Sequence, residues 1–139
     1  MSSNKSLLWC LLLCPRIIHY SEVELKRLEG RDMRLVIAEN TLGAREMSGG
    51  IIWLKPGGVT KPCHAHLKEE EIIYVVDGEG EVWVDGETAP VKTGDFVLFP
   101  KGLRHMLRNS GDAIMEVLFI FSPATDPSKY NLYPEVDFS

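Results

Sequence analysis

A chain of 139 residues, 45% hydrophobic and 25% charged, can bury one core and leaves no room for a second domain of ordinary size. A net charge of −5 without a Lys/Arg cluster on any segment lacks the electrostatic footprint of a nucleic-acid binder. Three cysteines, Cys10, Cys14 and Cys63, are an odd number, which excludes a simple disulfide framework and points to a reducing, cytoplasmic home.

In chain order, residues 1–15 form an apolar N-terminal segment in which Lys5 precedes the run from Leu7 to Cys14. This resembles the start of a signal peptide, but Pro15, Arg16 and Ile17 follow where a small-x-small cleavage site would stand. The run is also shorter than the roughly 20 residues of a bilayer span, so it is expected to pack on the barrel or a partner subunit, with no membrane partner.

From residue 16 to 122 short apolar, β-branched runs alternate with turns. Strands are expected at 17–20, 35–39, 47–55, 71–76, 81–85, 96–99, 104–108 and 114–121, with one helical turn within 22–30. Turn chemistry separates them, including Pro56-Gly57-Gly58, Asp85-Gly86 and Pro100-Lys101-Gly102. Strands this short must pack face to face, which predicts an all-β antiparallel sandwich or barrel. Residues 123–139 form a C-terminal tail with Tyr130, Tyr133 and Phe138, able to cap the barrel mouth, reach a partner subunit or hang loosely.

Chemistry concentrates in the middle of the chain. His64 and His66 are two apart, so on an extended segment both imidazoles point to one side. Glu71 opens the apolar run 72–76, where a carboxylate needs a partner. His105 shares its strand face with Leu103 and Leu107 and so points inward, whereas Arg104, Met106 and Arg108 face away. Three imidazoles and a carboxylate suit one divalent transition metal, whether Fe, Mn, Ni, Zn, Cu or Co, and not calcium or magnesium. A six-coordinate ion held by four side chains keeps two positions open.

The spacing Gly58-x5-His64-x-His66-x4-Glu71-x6-Gly78 resembles the first motif of the cupin superfamily, and Gly94-x5-Pro100-x-Gly102-x2-His105-x3-Asn109 resembles its second. The motifs span 58–78 and 94–109, and the resemblance implies a double-stranded β-helix, or jelly-roll, barrel over residues 16–122. It also implies that His64, His66, Glu71 and His105 ligate the metal, with Asn109 holding a turn. Glu69 and Glu70 compete with Glu71, and Glu70 fits a looser spacing after His66, but strand phase and the gap to Gly78 favour Glu71.

On strand parity, Cys63 and Tyr74 turn away from the ligands, and His19 beside Tyr20 reads as structural. Residues in phase with the ligands, Ile73, Val75, Leu103 and Leu107, are apolar, which argues against a sugar-binding pocket. Small cupin lyases acting on dimethylsulfoniopropionate place a catalytic tyrosine where this chain has Ile73. The expected function is a metal-dependent, oxygenase-like enzyme acting on a small organic molecule. The alternatives are a non-catalytic module that binds a small molecule and a metal-dependent isomerase or lyase. The apolar segment and the resemblance predict a homodimer.

Overall fold

A computed structural model describes residues 14–139, so the expected apolar segment lies, except for Cys14 and Pro15, outside the described residues. The period-two alternation of the sequence becomes two antiparallel sheets packed face to face. One has the strand order β1 (Lys26–Leu28), β2 (Arg31–Ile37), β3 (Ser48–Leu54), β10 (Met115–Ser122), β5 (Glu70–Asp77) and β8 (Phe96–Phe99). The other runs β11 (Asn131–Tyr133), β4 (Cys63–Ala65), β9 (His105–Asn109), β6 (Glu79–Val84) and β7 (Glu87–Lys92). This is the expected all-β jelly-roll.

Strand β10 shows the logic most plainly. Met115, Val117, Phe119 and Phe121 are buried while the residues between them keep partial exposure. Each of the two buried phenylalanines contributes about 1.5–3 kcal/mol by leaving water. The same alternation in β5 buries Glu71, Ile73 and Val75, so a carboxylate occupies a core-facing position. Two glycines of the motifs meet distinct backbone needs. A Cβ on Gly58 would lie 2.3 Å from the carbonyl oxygen of Gly30, and Gly102 turns at φ +80° just before β9.

Several expected elements differ. Residues 17–20 are not a strand: His19 caps a 3-10 turn, Tyr20–Glu22, its ring accepting from Ser21 N while Glu22 accepts from His19 N. Those local bonds satisfy the backbone without a ladder. The helical turn expected within 22–30 gives way, past that short turn, to β1, which pairs with β2 across Gly30 at φ +74°. Strand 35–39 begins earlier and stops at Ile37, where Thr41 Oγ1 accepts from Ala38 N and donates to Val36 O, folding the chain back. Strand β7 escapes the sequence reading because it is mostly exposed and contains Pro90, which an edge strand tolerates. Asp85 and Gly86 both have positive φ, as the hairpin between β6 and β7 requires.

The tail adds strand β11 to the edge of β4 and then crosses the outer face of that sheet. There Tyr133, Val136 and Phe138 pack on Cys63, Trp83 and Met106. Met106, placed by parity on the side away from the ligands, is therefore fully buried in a second, smaller core. Among the described residues no helix is long and apolar enough to cross a membrane.

Candidate metal centre

Register brings the ligand candidates together. His64 on β4 lies directly opposite His105 on β9, and His66 follows just past the end of β4. Glu71 comes from the facing sheet, so the cluster bridges the sandwich. Each of the four offers one ligand atom, and these atoms all lie within 4.8 Å of one another. His66, Glu71 and His105 are buried and His64 is half-buried.

The hydrogen bonds fix which imidazole nitrogen faces the centre. His64 Nδ1 donates to Pro62 O and His105 Nδ1 donates to Leu103 O, each at 3.0 Å, and a carbonyl can only accept. Nε2 of both rings is therefore left for the centre. Yet His105 Nε2 lies 2.9 Å and His66 Nε2 lies 3.1 Å from one oxygen, Glu71 Oε2. A neutral His105 would aim a lone pair at a carboxylate oxygen, which repels. The contact is relieved when a cation, a proton or a metal ion, lies between them. His66 Nδ1 is buried with no partner among the described residues. The donor set thus fits a divalent metal, and the four side chains could hold one.

Aromatic rings clamp the imidazoles. Phe99 stacks on His105 with centroids 4.1 Å apart and planes 8° apart, and Phe121 meets His66 edge-on at 4.7 Å. Both phenylalanines flank Glu71 across the ladder, one on β8 and one on β10. Tyr130, just before β11, stacks on His64 at 5.3 Å and meets His66 edge-on at 4.4 Å. Gly102 N donates to His66 O at 2.8 Å, tying the turn before His105 to the first histidine pair.

Electrostatics favour neutral His64 and ionised Glu71. Burial, reinforced by repulsion from His105, lowers His64 to about 4. Burial alone would raise Glu71, but hydrogen bonds from His105 and His66 with their positive fields bring it down to about 2. Burial, then the nearby Glu71 charge, pushes the Tyr130 phenol up, so it is un-ionised at neutral pH.

A cavity of about 50 Å³ adjoins the cluster. Ile73 and Leu107 line it as parity required, but Leu103 does not: it is 36% exposed in the turn after Pro100, before the β9 register begins. Val75 is buried in the core without bordering the cavity. Glu70 is exposed. Cys63 is buried on the opposite side, where burial raises its thiol. Arg104 and Arg108 pair with Asp85 and Glu81 on the outer face, and Tyr74 packs on Phe96 on the outer side of the other sheet. Asn109 donates to Leu54 O and Ala113 O and accepts from Gly111 N, which holds its turn.

Sequence reasoning missed Arg31, Thr60, Phe99 and Phe121, all of which line the cavity, and named Tyr130 only within a tail able to cap the barrel mouth. Alternation along β8 and β10 could have placed the two phenylalanines inward. Tyr130 lies between two short elements and carries no periodic signal.

Comparisons with known proteins agree with this geometry. A family model described as the cupin domain matches residues 50–121. The chain is 36% identical over 115 residues to polyketide synthase CurC of Streptomyces cyaneus, covering 82% of this chain and 74% of that protein. It is 34% identical over 108 residues to protein SchB of Streptomyces halstedii, covering 78% of each. Among solved structures, a predicted oxalate decarboxylase from Thermotoga maritima superposes with a TM-score of 0.69 at 24% identity, covering 77% of this chain and 98% of that one. That last likeness is one of fold.

Proposed function

The chain belongs to the cupin domain family, and from that premise we propose a metal-dependent enzyme, oxygenase-like, that acts on a small organic molecule beside one divalent transition-metal ion. In this reading His64, His66, Glu71 and His105 hold the ion, whose identity lies among Fe, Mn, Ni, Zn, Cu and Co. The observation that carries it is His105: Nδ1 donates to Leu103 O while Nε2 faces Glu71 Oε2, an arrangement that calls for a cation. When bound, such an ion supplies Lewis-acid or redox chemistry at the end of the cavity.

The chain's own residues supply the rest. Pro62 O and Leu103 O hold the tautomers of His64 and His105. Phe99, Phe121 and Tyr130 pack on the imidazoles and restrain their ring planes. Ile73, Leu107 and Phe119 give the cavity an apolar wall suited to a carbon skeleton. The relative named as a polyketide synthase brings a polyketide-type molecule forward as the substrate class.

The test is elemental analysis of the purified protein followed by oxygen uptake with a panel of small keto and phenolic compounds. A bound redox-active metal with substrate-dependent uptake, lost in His105→Ala, is expected. Turnover that persists in metal-stripped His105→Ala would overturn the reading. Ligand binding without any turnover would leave a binding module instead.

The proposal includes a homodimer in the cytoplasm. Ile72, Phe96 and Leu98 form an exposed apolar strip on the outer face of the first sheet, with Phe96 73% exposed. Sedimentation as a monodisperse monomer would count against the dimer.

A further inference from the structure

Outside the four-residue cluster, one charged side chain among the described residues borders the cavity. Arg31, the first residue of β2, lines it, and its Nη1 donates to Val59 O at 3.3 Å and to Lys61 O at 3.2 Å. Those bonds anchor one end of the guanidinium. Among the described residues no carboxylate pairs with it, whereas Arg104 and Arg108 on the outer face each have one at 2.7 and 3.1 Å. A half-buried guanidinium without a counter-charge is costly unless something anionic completes it. Glu71 does not serve: among the described residues no ion pair joins it to Arg31, and its Oε2 is engaged by His66 and His105.

Of the other polar side chains of the lining outside the cluster, the Tyr130 phenol is un-ionised and carries no charge. Thr60 Oγ1 accepts from Leu107 N at 2.8 Å. The rest of the wall is apolar, including Met33, Ile52, Ile73, Val117 and Phe119. A divalent ion with one carboxylate ligand would add further positive charge beside Arg31. Arg31, His64 and Tyr130 are half-buried members of the lining, as is the apolar Ile52.

We propose that this cavity selects an organic oxyanion with an otherwise apolar body, its negative oxygen held by the free edge of the Arg31 guanidinium. The chemistry is shared by carboxylates and by enolates or phenolates. A cavity of about 50 Å³ takes the anionic end and its first carbons. The proposal deepens the enzymatic reading and rests on it for the reaction, but not for the binding.

The experiment is calorimetric titration of the full chain, reconstituted with metal and also stripped of it. Butyrate is titrated against butyramide, and 4-nitrophenolate at pH 8 against nitrobenzene. At least one anion is expected to bind roughly tenfold to a hundredfold more tightly than its neutral counterpart, and which one does so identifies the source of the oxyanion. Arg31→Gln is expected to erase that preference, with metal content by elemental analysis and binding of the neutral compound unchanged. Arg31→Lys is expected to restore part of it, which separates charge from any loss of the Val59 and Lys61 contacts. Equal binding of both anions and their neutral counterparts, or a preference that survives Arg31→Gln, would overturn the proposal. Failure to retain metal would instead remove the enzymatic reading, and the titration of stripped protein would still decide the role of Arg31.

Discussion

His105 Nε2 lies 2.9 Å from Glu71 Oε2 while the other nitrogen of the same ring donates to the carbonyl of Leu103. One residue thereby links the two sheets, positions a carboxylate and carries its own tautomer restraint. Glu71→Gln keeps the shape and removes the charge, so metal affinity should fall by more than the roughly tenfold to hundredfold that losing an outer partner costs. Glu70→Gln, at an exposed position, should change affinity little. Competition against a chelating dye measures both, and equal effects would remove Glu71 from the ligand set.

Acid should destabilise the metal-stripped protein in two stages. His64 is lowered from 6.5 to about 4, so between those values the unfolded chain binds the extra proton and stability is lost as pH falls. Glu71 is lowered from 4.5 to about 2, so its share is present above 4.5 and is lost on the way down to 2. Urea midpoints recorded from pH 7 to pH 3 should decline throughout, and His64→Gln should flatten the upper stage. A midpoint that rises between pH 6.5 and 4 would contradict this.

Phe99 holds the His105 ring by face-to-face stacking. Phe99→Leu should cost about 1–3 kcal/mol of stability and roughly tenfold in metal affinity, because the ring gains freedom to tilt. Chemical denaturation and metal titration measure the two separately. A variant less stable but unchanged in affinity would show that stacking serves the core alone.

Cys63 is buried beneath the tail. In a Cys10→Ser, Cys14→Ser background its thiol should resist an aromatic disulfide reagent, and Val136→Asp, by loosening the tail, should raise the labelling rate at least tenfold. Equal rates would mean that the thiol is shielded by the sheet itself.

How much of this was legible in the sequence depends on periodicity. Strands 47–55, 71–76 and 114–121 were readable because burial on one face imposes alternation, and Ser48–Leu54, Glu70–Asp77 and Met115–Ser122 follow it. The ligand candidates were readable because spacing along the chain maps onto strand phase. Strand β4 has three residues and β11 has three, too few for a pattern. Arg31 and Tyr130 reach the cavity from places where no motif runs, through pairing between segments far apart in sequence. Such contacts are properties of the register, and a single sequence does not display them.

Strand β4, which carries His64, meets β9 at a single registered pair and is held along its other edge by β11 through three. A strand with a single registered pair to β9 is thus clamped along its other edge by residues 131–133. Tension applied to that end, by a fused domain or a gripping partner, would peel β11 first and release the imidazole of His64 from its tyrosine. Residues 131–133 therefore act as the hasp on the strand that carries His64.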